Sequence, residues 1–111
     1  MEKIRVAING YGVIGKRVAD AVHLQEDMEL AGVCDVITDW RIQMAVLKKY
    51  PVFASDDMFK TKMNEAGINS SGTLNDLLAS SDIIVDCTPK KIAAQNIELY
   101  KKLGTKFILK K

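Results

Sequence analysis

Short apolar runs alternate along the chain with longer stretches in which apolar residues recur every three or four positions. Runs of the first kind are typical of buried strands, and stretches of the second kind are typical of amphipathic helices. Because the two alternate, we expect an α/β fold, with an open, mostly parallel sheet and helices on both faces. The predicted strands are 4–8, 28–35, 51–54, 82–87 and 106–109, and the predicted helices are 13–25, 40–49, 56–66, 73–80 and 91–103.

Glycine and hydroxyl residues mark several helix ends. Gly67 and Gly104 follow two of the predicted helices, where a residue in the left-handed conformation commonly ends a helix. Thr73 can begin another helix, with Asp76 at the position where a capping box usually has Glu or Gln.

A glycine-rich turn joins the first predicted strand to the first predicted helix. Its sequence, Gly10-Tyr11-Gly12-Val13-Ile14-Gly15, has the pattern G-x-G-x-x-G. The first glycine permits a tight turn, the second lets the backbone approach a pyrophosphate, and the third lets helix and strand pack closely. The start of the helix also offers unpaired N–H groups and a partial positive charge to phosphates.

An acidic residue is a second mark of nucleotide binding. Asp35 ends the second apolar run and follows Gly15 by 20 residues. At this spacing a carboxylate can accept a hydrogen bond from a ribose 2′-hydroxyl. Strand, glycine turn, helix and acid together predict a Rossmann-like, doubly wound fold that binds a dinucleotide. A plain strand–turn–helix without a ligand is the alternative.

The carboxyl ends of parallel strands form a crevice where the strand order reverses, and ligands of such sheets bind there. We expect this crevice to gather the glycine turn, Asp35 and the corner after the strand at 82–87. The Tyr11 side chain either covers the pyrophosphate or packs against its neighbours, and the sequence leaves both possibilities open. The expected cofactor-binding residues are Asn9, Gly10, Tyr11, Gly12, Val13, Ile14, Gly15, Asp35, Thr88 and Pro89.

Composition narrows the class of protein. A chain of 111 residues suits a single domain. With a net charge of +2 and dispersed lysines, we expect no nucleic-acid partner. No apolar stretch approaches the roughly 20 residues that span a bilayer, and no secretory signal precedes the first strand. We therefore expect a cytoplasmic protein without membrane contact.

Side chains with catalytic or metal-binding chemistry are few. Cys34 and Cys87 lie far apart in predicted strands and are interpreted as small buried hydrophobic residues. His23, the one histidine, is expected on a helix surface. We expect neither a metal site nor a catalytic group. The residues Trp40, Met44, Met58 and Met63 fall on helical faces and are interpreted as packing residues.

Similarity to a known family extends beyond the glycine turn. Residues 8–22 read INGYGVIGKRVADAV, and residues 82–89 read DIIVDCTP. Together with 64–68, 72–73, 76–78, Asn96 and 99–101, they resemble archaeal-type (type II) glyceraldehyde-3-phosphate dehydrogenase, over the N-terminal part of its NAD(P)-binding domain. The resemblance implies a phosphorylating enzyme that oxidises glyceraldehyde 3-phosphate with NAD or NADP, usually as a homotetramer.

The chain departs from that family in its extent. In the family, the nucleophilic cysteine and its partner histidine lie in a catalytic region beyond the part that this chain resembles. We therefore expect residues 1–111 to be a truncated dinucleotide-binding domain, with the catalytic domain absent, that binds cofactor without catalysis. Cys87 matches the strand cysteine of the family's D-C-T-P stretch, so it is not expected to be the nucleophile.

Two other interpretations stay open. One is a non-catalytic, NAD-sensing or protein-interaction module derived from a Rossmann fold. A weaker one is the first domain of an aspartate-semialdehyde dehydrogenase or a dihydrodipicolinate reductase, which the stretches 9–12 and 86–89 fit less well. We also expect a second copy of the chain, in a homo-oligomer, or the missing catalytic domain to cover the apolar strand at 106–109.

Asp35 also bears on the choice of cofactor. The archaeal family often has a lysine here, suited to the 2′-phosphate of NADP. A carboxylate instead accepts hydrogen bonds from the hydroxyls of NAD and repels a phosphate, so we expect NAD to be preferred. An Asp merely solvated at a strand end is the alternative.

Lys90 and Lys91, where the family commonly has an acidic residue and a glycine, either attract phosphate or cover the start of a helix.

Overall fold

The computed structural model describes residues 2–110. These residues form five strands and five helices, in the alternating order that the sequence predicts. The strands are β1 (Ile4–Asn9), β2 (Met28–Asp35), β3 (Val52–Ala54), β4 (Ile83–Asp86) and β5 (Lys106–Leu109), and the helices are α1 (Val13–His23), α2 (Trp40–Leu47), α3 (Asp57–Glu65), α4 (Leu74–Ala79) and α5 (Lys90–Leu103).

The five strands form one sheet in the order β3-β2-β1-β4-β5, and every neighbouring pair is parallel. Since β1 connects to β2 on one side and pairs with β4 on the other, the strand order reverses between β1 and β4. Ligands of doubly wound sheets bind at this reversal. The predicted α/β, Rossmann-like fold is confirmed.

Helices cover both faces of the sheet. One face, which includes Ile8 and Val33, packs against α1, α2 and α3. The opposite face, which includes Ala7 and Cys34, packs against α4 and α5. Because successive side chains of a strand point to opposite faces, a strand covered on both sides is apolar almost throughout. This explains why the apolar residues of β2 do not alternate with polar ones.

The helix ends follow local capping chemistry. The backbone N–H of Thr73 donates to Asp76 Oδ2 at 2.9 Å, so an aspartate serves where a glutamate is usual in the capping box. Gly104 ends α5 in the left-handed conformation, with φ 69°. The helix α2 stops two residues earlier than predicted, because Lys49 is left-handed at φ 63° and Tyr50 turns back into the core.

Two of the predicted packing residues are not in the core. Trp40 is 65% exposed and Met58 is 56% exposed, whereas Met63 is fully buried. Trp40 is the first residue of α2, and its ring lies beside Lys16 rather than on the sheet. The helical spacing placed these residues on a face of a helix but did not show which part of that face the sheet covers.

Candidate functional site

A cleft of about 530 Å³ opens at the carboxyl ends of the central strands. Six of the predicted cofactor-binding residues line it, from three separate segments: Asn9, Gly10, Gly12, Asp35, Thr88 and Pro89. The expected convergence at the reversal of strand order is therefore present. The other lining residues are Val36, Ile37, Arg41, Ser55, Leu74, Cys87, Ile92, Asn96, Leu99 and Lys110.

The three glycines of the turn differ in the space around them. Gly10 has φ +95°, and a Cβ there would lie 2.8 Å from the backbone carbon of Cys87. A Cβ on Gly15 would overlap the carbonyl oxygen of Gly10, so α1 and the turn pack too closely for any side chain. A Cβ on Gly12, in contrast, would have no neighbouring atom within 4 Å, and Gly12 lines the cleft. The open glycine is the one expected to admit a pyrophosphate.

The Tyr11 side chain packs in the core. It is 0% exposed and lies in the cluster between the sheet and α1, α2 and α3. Its hydroxyl has no hydrogen-bond partner among residues 2–110, and burial raises the pKa of that hydroxyl, with a smaller contribution from the charge of Asp20. Of the two possibilities that the sequence left open, packing against neighbours is therefore the one observed.

Three other predicted residues also lie outside the lining of the cleft. Val13 and Ile14 form the first turn of α1 with exposed side chains, and Gly15 is buried behind them. These three residues could bind a cofactor through their backbone N–H groups at the start of α1. Their role in cofactor binding stays a prediction.

The carboxylate of Asp35 ties the glycine turn to the end of β2. Its Oδ2 accepts a hydrogen bond from the backbone N–H of Tyr11 at 2.6 Å, and its Oδ1 accepts one from Val36 N at 2.7 Å. Each carboxylate oxygen has a second lone pair. Asp35 is therefore held in a fixed position on the cleft wall and can still accept hydrogen bonds from a ribose.

A buried hydrogen-bond network lies beside the glycine turn. Asp86 is 1% exposed, and its carboxylate accepts hydrogen bonds from Thr88 N at 2.9 Å, Asn96 Nδ2 at 3.0 Å and Tyr100 OH at 2.6 Å, as well as from the Thr88 hydroxyl. Asn9 Nδ2 donates in turn to the Tyr100 hydroxyl at 2.8 Å. The network joins the ends of β1 and β4 to α5 and fixes the corner at Thr88.

Sequence reasoning did not assign Asp86, Asn96 or Tyr100 to the site. Asp86 places a carboxylate inside an apolar strand, and a buried charge needs polar partners. This feature of the sequence could have indicated the network. Asn96 and Tyr100 are four residues apart on α5, so they share one face of the helix. Burial raises the pKa of Tyr100, and its hydrogen bond to Asp86 adds to the shift, so the hydroxyl is protonated at neutral pH.

The two cysteines are buried, at 0% exposure for Cys34 and 6% for Cys87. Burial raises the pKa of both thiols, so the reactive thiolate is disfavoured. The interpretation of both as small buried hydrophobic residues is confirmed.

Lys90 and Lys91 are exposed and do not line the cleft, whereas Lys110 does. No helix within residues 2–110 is long and apolar enough to cross a membrane.

The parallel sheet, the glycine turn at its reversal point and the acid at the end of β2 define a Rossmann-type dinucleotide-binding domain. Comparison with known families agrees with this class. Residues 4–109 match the family model described as dihydrodipicolinate reductase, N-terminus, and the chain belongs to that family.

Archaeal glyceraldehyde-3-phosphate dehydrogenases are similar to the chain over almost all of it. The enzyme of Methanothermobacter thermautotrophicus is 49% identical over 105 residues, which are 95% of this chain and 31% of that protein. The Archaeoglobus fulgidus enzyme is 47% identical over 109 residues, 97% of this chain and 32% of that protein. The Methanococcus maripaludis enzyme is 50% identical over 107 residues, 96% and 32% of the two chains. The resemblance inferred from the sequence is confirmed, and the chain spans about a third of the length of these relatives.

Solved structures show the same fold at low identity. Apo scyllo-inositol dehydrogenase from Lactobacillus casei superimposes with a TM-score of 0.66 at 18% identity, over 99% of this chain and 29% of that one. Saccharopine dehydrogenase from Saccharomyces cerevisiae gives 0.67 at 15% identity, over 96% and 21%. GenD2 from gentamicin A biosynthesis, in complex with NAD, gives 0.55 at 21% identity, over 98% and 27%.

Proposed function

We propose that this chain is the cofactor-binding part of a phosphorylating glyceraldehyde-3-phosphate dehydrogenase, and that its cleft binds NAD in preference to NADP. One observation carries the proposal. The Asp35 carboxylate is hydrogen-bonded to the backbone of the glycine turn at 2.6 Å, on the wall of the same cleft as Gly12. The acid that would bind the ribose and the turn that would bind the pyrophosphate thus form one rigid unit.

The preference for NAD follows from the charge of Asp35. Hydroxyls of the adenosine ribose can donate to its unused lone pairs, whereas a 2′-phosphate brings a second anion against it. GenD2, a solved structure with the same fold, is in complex with NAD, which is consistent with NAD as the ligand proposed here.

We further propose that the chain binds cofactor without catalysing oxidation. Both thiols are buried with a raised pKa, so neither Cys34 nor Cys87 suits attack on an aldehyde. Oxidation would then depend on the rest of the dehydrogenase. The cytoplasmic location expected from the sequence stays a prediction.

The strand β5 has exposed apolar side chains. This strand is at the edge of the sheet, and Ile108 and Leu109 are 53% and 38% exposed. We propose that a second copy of the chain or the catalytic domain covers them. The same exposure favours the second candidate function, an NAD-sensing or protein-interaction module. Light scattering across a concentration series tests self-association, and a monomer at every concentration would exclude the homo-oligomer.

Calorimetric titration with NAD and with NADP tests the proposed function. We expect saturable NAD binding and weaker NADP binding. In Asp35→Lys the order should reverse, because the charge beside the ribose changes sign. Asp27→Lys is the matched control, since Asp27 lies at the opposite end of β2, before its first residue. Absence of NAD binding, or an unchanged NAD/NADP ratio in Asp35→Lys, would contradict the proposal.

A further inference from the structure

The buried carboxylate of Asp86 determines what the neighbouring part of the cleft presents to a ligand. Three residues that donate to this carboxylate, or to its partner Tyr100, also line the cleft, and we call them the acceptor cluster: Asn9, Thr88 and Asn96. Since β1 lies between β2 and β4 in the sheet, the acceptor cluster and Asp35 are on opposite sides of the glycine turn.

The orientation of the two asparagine amides follows from the capacity of their partners. An ionised carboxylate can only accept hydrogen bonds, so Asn96 presents its Nδ2 to Asp86, at 3.0 Å. A tyrosine hydroxyl has one hydrogen, which Tyr100 donates to Asp86 at 2.6 Å. The same hydroxyl therefore accepts from Asn9 Nδ2, at 2.8 Å. Both amide nitrogens are held inside the network, and both amide oxygens are directed away from it.

These two amide oxygens are open to the cleft. Within residues 2–110, neither Asn9 Oδ1 nor Asn96 Oδ1 accepts a hydrogen bond. The Tyr11 hydroxyl is the one side-chain polar atom in that part of the chain that is both buried and without a partner, so neither amide oxygen is closed off from solvent. The hydroxyl hydrogen of Thr88 is likewise donated to Asp86. The acceptor cluster thus offers two unpaired oxygen acceptors beside a buried carboxylate.

Such a surface suits a neutral group with hydroxyls. Hydroxyls donate to amide oxygens, whereas a phosphate would meet further acceptors and a charge of its own sign. The acceptor cluster also lies against the glycine turn, because a Cβ on Gly10 would be 2.9 Å from Thr88 N. A group bound there is therefore next to the pyrophosphate position at Gly12. In a dinucleotide, the group that follows the pyrophosphate on the side away from the adenosine is the second ribose.

We infer that the acceptor cluster binds the hydroxyls of this second ribose through the amide oxygens of Asn9 and Asn96. Asp86 and Tyr100 are the positioning residues, because they hold both amides with their oxygens toward the ligand. The inference rests on the proposed function, since the cleft must hold a dinucleotide. It assigns the two riboses to acceptors on opposite sides of the glycine turn, with Asp35 on the adenosine side.

ADP and ADP-ribose distinguish the two sides, because only ADP-ribose has the second ribose. Wild-type chain and the variants Asn96→Ala and Tyr100→Phe are titrated with both ligands by calorimetry, and circular dichroism checks that each variant is folded. Asn96→Ala removes one acceptor. Tyr100→Phe keeps both acceptors but removes the partner that orients the Asn9 amide.

Two matched controls make the same chemical changes outside the cleft. Asn64→Ala removes an exposed amide in the last turn of α3. Tyr50→Phe removes a hydroxyl that donates to another carboxylate, Asp20 Oδ1, at 2.7 Å. Both controls should bind ADP and ADP-ribose as wild type does.

We expect the affinity for ADP-ribose to fall about tenfold in Asn96→Ala, as for one lost hydrogen bond, and about threefold in Tyr100→Phe, where the Asn9 oxygen is present but no longer fixed. The affinity for ADP should change less than about twofold in both variants. Asn96→Ala keeps the hydrogen bond between Tyr100 and Asp86, so it tests the acceptor cluster even where Tyr100→Phe does not fold.

A network that only supports the fold would give a different result. Equal losses for ADP and ADP-ribose, or no loss for either ligand, in a folded variant would overturn the inference and leave the proposed function intact. Failure of wild-type chain to bind ADP, ADP-ribose and NAD would overturn both.

Discussion

The hydroxyl of Tyr100 joins two buried side chains at the carboxyl ends of β1 and β4. It donates to Asp86 Oδ2 at 2.6 Å and accepts from Asn9 Nδ2 at 2.8 Å. The substitution Tyr100→Phe removes one oxygen and keeps the ring, which packs on Phe107 with 5.6 Å between centroids. The loss is therefore confined to two hydrogen bonds in a region that is closed to solvent.

The expected destabilisation follows from these two bonds. A hydrogen bond to a charged group contributes about 1.5–3 kcal/mol, and a buried amide left without its partner costs about 1–3 kcal/mol. Asp86 keeps its bonds from Thr88 and Asn96, so we expect a total decrease in the lower part of the summed range, about 2.5–4 kcal/mol in the free energy of unfolding. For a domain of this size, that lowers the unfolding midpoint by roughly 10–20 °C.

Urea unfolding at pH 7, followed by circular dichroism, measures this decrease. Tyr11→Phe is the matched control, because it removes the same atom from an equally buried residue whose hydroxyl has no partner within residues 2–110. We expect Tyr11→Phe to be neutral or to stabilise the fold by up to about 1 kcal/mol, since an unpaired buried hydroxyl is unfavourable. If the two variants unfold at the same urea concentration, the network makes no net contribution and the reasoning is wrong.

Three further predictions concern single sites. Gly12→Ala should fold normally but bind NAD at least about tenfold more weakly, as measured by calorimetry. Gly10→Ala should instead be destabilised by more than about 1 kcal/mol, as measured by circular dichroism, since only Gly10 combines a positive φ with a close contact between an added Cβ and the backbone. The hydrogen bond from Lys48 lowers the pKa of the Asp20 carboxyl, so the ionised carboxylate stabilises the fold above its ordinary pKa of 3.8, and this stabilisation is lost as the pH falls through the lowered value. Asp20→Asn should therefore have a lower free energy of unfolding than wild type at pH 7 and the same one in strong acid. A difference in stability that persists in acid would disprove the assignment. Cys34 and Cys87 should react with a thiol reagent only after unfolding, because both are buried with a raised pKa; rapid labelling of the native chain would contradict this.

The local elements and the glycine turn were predictable because their causes lie close together in sequence. The positive φ of Gly10, the capping box at Thr73 and the left-handed end of α5 at Gly104 depend on sterics and hydrogen bonds within a few residues. The 20-residue step from Gly15 to Asp35 runs along α1 and β2 of one strand–helix–strand unit, whose geometry varies little. These features were enough to predict the fold class and the three segments that meet in the cleft.

The buried network and the surroundings of Trp40 depend instead on packing between distant segments. Asn9 and Tyr100 are separated by 91 positions, and no local pattern shows that an amide on β1 meets a hydroxyl on α5. Likewise, Lys16 lies on α1 and Trp40 on α2, and only the packing of the two helices brings the lysine Nζ to 5.8 Å from the centroid of the tryptophan ring. For the same reason, the sequence did not decide whether the Tyr11 side chain covers a ligand or packs in the core. Burial of a side chain is a property of everything packed around it, which the sequence near that residue does not contain.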